Sequence, residues 1–186
     1  MKTSAMKRIA LWPMVSAFSF LALSPVIESP TTGRVTSQQT PLTTSCSAPE
    51  YRQFDFWVGD WDAFEEDSGK KVARVQVKRI LDGCVLQEDY QGANDVEGQS
   101  ITIYDSSRKL WHQTWVTNGG ALLVIEGAFR GGEMVLNGVD HQRDEQLVRG
   151  TWKPAAEGVR ETAVISSDAG KTWKPWFDLL FRPHKP

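Results

Sequence analysis

Between positions 54 and 182 the chain alternates apolar and polar residues in short runs, at 54–64, 72–80, 84–91, 99–104, 110–116, 122–130, 134–140, 147–153, 159–167 and 174–182. Period-two alternation over such lengths places successive side chains on opposite faces of an extended strand. The breaks between runs carry the residues that turn a chain: Asp67-Ser68-Gly69, Asp82-Gly83, Gly92-Ala93-Asn94, Asp105-Ser106-Ser107, Asn118-Gly119-Gly120, Gly131-Gly132, Glu157-Gly158 and Asp168-Ala169-Gly170. Each tolerates a left-handed backbone or closes an Asx turn. The pattern predicts about ten strands at hairpin spacing.

Connections this short join antiparallel neighbours. No stretch after Cys46 sustains a 3.6-residue apolar period, so helical crossovers and a parallel sheet are excluded. The choice falls between a sandwich and a closed meander barrel. The absence of a long return connection favours the up-and-down antiparallel barrel, an all-β fold.

The first residues read differently. Lys2, Lys7 and Arg8 precede the apolar run 9–23, the layout of a secretory leader, and Pro13 interrupts a run already short for a membrane span. Residues 1–24 are therefore expected to be a cleaved signal peptide. The Ser/Thr/Pro-rich stretch 25–45 has too little apolar content to fold and is expected to be a disordered linker, and 46–186 to be the barrel domain. Export to the periplasm or the medium follows. Cys46 stands too far beyond the apolar run to serve as a lipoprotein cysteine.

An exported chain with two cysteines is expected to pair them. A Cys46–Cys84 bridge would tie the start of the domain to a strand. Two cysteines without a CxxC or Cys/His spacing do not make a structural zinc site.

The formal net charge is −2, and removing Lys2, Lys7 and Arg8 with the leader takes it to −5. With no block of Lys or Arg, neither nucleic acid nor, after leader cleavage, a membrane is an expected partner. Oligomeric state is not legible.

Ser166-Ser167-Asp168-Ala169-Gly170-Lys171-Thr172-Trp173 fits the Asp-box pattern, with Ser166, Asp168, Gly170 and Trp173 as its structural members. In that pattern Ser and Asp bond the turn backbone and the Trp packs under the hairpin. One copy in a short chain predicts a hairpin, not a propeller sialidase.

Cys46, Glu50-Tyr51-Arg52-Gln53-Phe54-Asp55-Phe56-Trp57-Val58-Gly59-Asp60-Trp61-Asp62, Gly83-Cys84, Trp111-x-Gln113-x-Trp115, Thr151-Trp152-Lys153-Pro154 and the Asp box together resemble a family of exported bacterial proteins of unknown function, over nearly the whole of 46–182. The Phe-Trp-x-Gly-x-Trp opening also resembles, more distantly, the calycin barrels, lipocalin-like and fatty-acid-binding-protein-like, among them the haem-binding nitrobindins. That resemblance implies a barrel whose first-strand Trp closes one end and whose interior holds a small ligand. A haem there would need an inward axial ligand, for which His184 is the faint candidate.

Candidate lumen residues follow from the alternation. Trp111, Gln113 and Trp115 share one strand face, two indoles flanking an amide, and Trp152 extends the surface. Charged residues inside strands are Glu88, Glu126, Arg149, Arg160, Glu161 and Asp178, of which any that face inward must find a partner. Glu88 and Arg160 rank first as ligand anchors, with Arg149 behind them.

Hydrolase, metalloprotease, phosphate-loop and dinucleotide motifs are all missing, and the three histidines, His112, His141 and His184, are scattered. Asp140-His141 with Asp144 would be at most a loop-tip metal cluster. No catalytic residue, metal or cofactor is assigned. The expectation is non-catalytic binding of a small hydrophobic or amphipathic ligand, with acid–base catalysis by an interior carboxylate, or haem binding, as the alternatives.

Overall fold

In the computed structural model, which describes residues 46–185, ten antiparallel strands close into a single barrel. The expected leader (1–24) and linker (25–45) lie outside the described residues. The strands are β1 (Gly59–Glu65), β2 (Lys71–Ile80), β3 (Val85–Gly92), β4 (Glu97–Asp105), β5 (Leu110–Thr117), β6 (Leu122–Arg130), β7 (Glu133–Asp140), β8 (Gln146–Ala155), β9 (Gly158–Ser166) and β10 (Lys174–Pro183). Each pairs with the next in sequence. Closure is made by β1 on β10, running from Trp61 opposite Pro183 to Glu65 opposite Leu179. A two-sheet sandwich is thereby excluded, and no strand is left with a free edge.

One expected strand divides. The run at 54–64 begins as a 3-10 turn, Asp55–Trp57, and becomes strand only at Gly59. Phe54, Phe56 and Trp57 are too closely spaced to alternate across a strand. A three-residue turn instead eclipses positions i and i+3, and the Phe54 and Trp57 rings stack at 5.1 Å and 18°. Both rings are at most 1% exposed. Trp111 and Trp152 meet Phe54 edge-on at 5.8 and 5.6 Å, so four aromatic rings form a floor across one end of the barrel.

The Gly-x-Trp spacing has a steric cause. A Cβ at Gly59 would stand 2.3 Å from the Trp61 ring, which folds back over the glycine. From there the Trp61 Nε1–H donates to the Trp57 carbonyl at 3.0 Å and fastens β1 to the floor.

The polypeptide ahead of the floor is clamped to the β2–β3 connection. Cys46 and Cys84 are joined in a disulfide, and Arg52 donates to the carbonyls of both Cys46 (3.2 Å) and Gly83. That connection needs holding, because Leu81 and Asp82 adopt left-handed φ of 50° and 55°, where residues with a Cβ are strained.

At the opposite end the Asp box makes the β9–β10 turn. Ser166 Oγ donates to Asp168 (2.7 Å) and accepts from Gly170 N (2.9 Å), while Asp168 accepts from Thr172 N (2.9 Å) and Thr172 Oγ1 (2.6 Å). Trp173 donates to the Gly170 carbonyl at 3.1 Å, and the Arg149 guanidinium lies 4.4 Å over its ring. These bonds to its charged form hold the Asp168 carboxyl well below the usual carboxylate range, the Thr172 hydroxyl first among them.

Candidate functional site

Above the aromatic floor the lumen is open. A cavity of about 520 Å³ runs from the floor to a mouth between the β1–β2 turn, the β3–β4 turn and the start of β10. It exists because several inward positions carry small residues. Ala163 on β9 and Gly150 on β8 both line it, and a Cβ at Gly150 would come within 2.7 Å of the Trp152 ring that lies across it. Larger residues at these two positions would fill the space.

The walls are mostly apolar. Trp115, Leu123, Ile125, Trp152 and Phe181 form them, and Trp176 and Phe177 stand at the mouth. Tyr90 meets the Trp115 ring edge-on at 5.6 Å and 87°. Against this background three carboxyl groups line the cavity: Glu65, exposed at the mouth, and, within the lumen, Glu88 from β3 and Glu161 from β9.

Glu88 is 6% exposed. Its register partner across the β3–β4 pair is Ser100, whose hydroxyl donates to it at 2.8 Å. Burial pushes the Glu88 carboxyl up to about 7, with the Ser100 donor opposing and the Asp89 charge adding to the rise. Glu161 is ringed by protein, yet part of its surface opens onto the cavity. Burial first, and the charge of Glu88 second, raise it well above the ordinary glutamate value.

The indole N–H of Trp152, the register partner of Glu161, favours the ionised form of that carboxyl. It is itself buried and makes no hydrogen bond of good geometry. The Tyr90 phenol is raised by burial and then by the charges of Glu161 and Glu88. Gln113, also buried, donates to Thr102 Oγ1 at 3.0 Å. Among the described residues the one basic side chain lining the cavity is Lys70, exposed in the β1–β2 turn.

No family model matches this chain, and no curated protein matches it.

The residues singled out from the sequence divide between the two faces of the wall. Glu88, Gln113, Trp115 and Trp152 line the cavity. Trp111 points inward as well but is spent in the floor, where its indole donates to Gln53 Oε1 at 3.2 Å. Arg149 and Arg160 stand on the outer face. Arg149 reaches Asn137 (2.9 Å) and the Trp173 ring, and Arg160 forms a two-pronged pair with Asp178 (2.8 and 2.5 Å). Neither reaches into the lumen, because in β8 it is Val148, Gly150 and Trp152, and in β9 Val159, Glu161 and Ala163, that turn inward.

The histidines are also outside. His112 lies between Glu126 (2.7 Å) and Thr114 (3.0 Å), His141 pairs with Glu145 (2.8 Å), and His184 pairs with Asp62 (3.0 Å). A haem in the lumen would therefore find no histidine to ligate it, and His184 does not fit that role. Asp140 turns back to accept from Gln142 N (3.0 Å) and to pair with Arg143 (3.2 Å). No three His, Cys, Asp or Glu side chains among the described residues converge on a metal-sized site.

Tyr90 and Ser100 are not among the residues expected from the sequence, and Glu161 appears there only as one of the charged residues inside strands. Tyr90 shares the phase of Glu88 on the same strand, and Glu161 sits between Val159 and Ala163 at period two, so alternation carried the signal for both.

Proposed function

We propose that this protein is a non-catalytic binder that holds a small hydrophobic or amphipathic molecule inside its barrel. The observation that carries this reading is the cavity, about 520 Å³, sealed below by stacked aromatic rings and open above. Its volume and its mostly apolar lining with a few polar anchors are those of small-molecule sites, whereas a barrel with only a structural role fills its interior with side chains. The Phe-Trp-x-Gly-x-Trp opening, which seats the floor, supports the likeness to calycin barrels and to the exported family of unknown function.

Export is part of the proposal. The leader-like first residues point to it, and the Cys46–Cys84 disulfide is at home in the periplasm or the medium. Among the described residues no helix is long and apolar enough to cross a membrane.

The test is native mass spectrometry of the protein purified from an exporting host, set against the same sample denatured and extracted. A stoichiometric released small molecule is the expected result. An apo mass, together with unquenched tryptophan fluorescence across a lipid, haem and aromatic panel, overturns the reading.

One observation favours a second reading. Glu88, buried beside the open cavity with its carboxyl near 7, has the proton affinity of a general acid or base at neutral pH. Chemical conversion of the bound molecule, abolished in Glu88→Gln, would make the barrel an enzyme rather than a carrier.

A further inference from the structure

We infer that the lumen is built for an organic cation, a protonated amine on an apolar or aromatic body, with its ammonium head held between Glu88 and Glu161. This rests on the carrier reading and names the ligand class.

The inference starts from an imbalance of charge. Four acidic groups of the outer wall have cationic neighbours: Asp62 with Lys71 at 2.7 Å, Glu126 with Arg108 at 2.8 Å, Asp178 with Arg160 at 2.5 Å, and Asp60 with Arg74. The two acids within the lumen have none. Glu88 has one neutral hydroxyl donor, Ser100. Glu161 has the Trp152 indole nearby, a buried N–H with no other partner, placed to serve that carboxyl once it ionises. A buried carboxyl without a counter-ion is costly to ionise unless the missing charge arrives with a ligand.

The rest of the lining agrees. Trp115, Tyr90 and Trp152 present π faces and edges around the acids, and aromatic faces attract cations. An anionic ligand would meet two acids and no interior base. A purely apolar ligand would leave both acids unused. The other titratable groups near them are the Tyr90 phenol within the lumen, Asp89 on the far side of β3, and Glu65 and Lys70 at the mouth.

Binding should then be linked to protons. Both carboxyls are raised by burial, Glu88 to about 7, so near pH 6 an arriving ammonium ion displaces a proton to the buffer. Affinity for the amine should rise from pH 5 to pH 8 as Glu88 ionises.

Three probes with one apolar body and different heads test this: 4-phenylbutylamine, 4-phenylbutanol and 4-phenylbutyrate, titrated calorimetrically at pH 6 in buffers of different ionisation enthalpy. The amine is expected to bind at least about ten-fold more tightly than the alcohol and to release protons, with the carboxylate weakest. Glu161→Gln and Glu88→Gln should each weaken the amine about ten-fold and leave the alcohol within about two-fold. Should a Gln variant fail to fold, proton release by the unmodified protein decides. Alcohol or carboxylate binding as well as the amine, or amine binding without proton release, overturns the cation and leaves the carrier. No binding of any of the three, with no co-purified molecule, overturns the carrier reading itself.

Discussion

Ser100 and Glu88 face each other across the β3–β4 pair, and the serine hydroxyl donates to the carboxyl at 2.8 Å. That single neutral bond is the carboxyl's main support inside an apolar barrel. On the outer face Asp62, Glu126 and Asp178 each pair with a cation; Glu88 draws on one hydroxyl, and burial wins.

Stability should therefore fall as pH rises through the Glu88 range. In the unfolded chain this group titrates near its ordinary 4.5, and in the fold near 7, so between those values the folded state holds the extra proton and loses stability as pH increases. The cost reaches about 3 kcal/mol and levels off above the folded value, and Glu161, raised by burial as well, adds a loss of the same sign. Urea unfolding of the protein and of Glu88→Gln at pH 5 and pH 8 checks it: the variant should show a clearly shallower loss.

The Cys46–Cys84 bridge spans a sequence separation of 38 and fastens the approach to the floor. Opening it restores unfolded-chain entropy and should cost roughly 4 kcal/mol in the chain-entropy model. Cys46→Ser/Cys84→Ser unfolding at lower urea, with the barrel's far-UV signal retained in native buffer, is the expected outcome.

Gly127 on β6 leaves no room for a side chain. A Cβ there would lie 1.9 Å from the Val135 carbonyl oxygen of β7, a backbone atom that cannot move aside without breaking the ladder. Gly127→Ala should destabilise the barrel by about 1–3 kcal/mol, read as a shift of the urea midpoint.

Placement on the two faces of the wall makes opposite predictions for two residues. Trp115→Ala removes a wall of the cavity and should weaken binding of the phenylbutyl probes by about ten-fold. Arg160→Ala breaks an outer ion pair with Asp178 and should leave the same binding within about two-fold. Calorimetry on both variants decides, and a strong effect at Arg160 with none at Trp115 would put the ligand outside the barrel.

Asp168 closes its turn through bonds to Thr172 N and Oγ1. Asp168→Ala should speed amide exchange at Thr172 and Gly170 while leaving exchange in the β3–β4 pair unchanged. Faster exchange throughout the barrel would show instead that the turn supports the whole fold.

Much of this architecture is legible in the order of the residues. Alternation and turn chemistry are local, so the strands, their short antiparallel connections, the Asp-box hairpin and the common face of Trp111, Gln113 and Trp115 follow from neighbours along the chain. The disulfide follows from there being two cysteines and a leader-like start. The division of 54–64 into turn and strand was hidden, since three clustered aromatics read as a strand until a floor exists for them to plug. Alternation also says that Arg160 and Glu161 face opposite ways, with Glu161 on the side of Val159 and Ala163, but not that this side encloses an open lumen. Only closure of β1 on β10 gives each strand an inside, and that closure put the acid in the lumen and the base in solvent. A buried, unpaired glutamate runs against the burial preference from which a strand's phase is read, so hydropathy points away from the very residues that the cavity brings together.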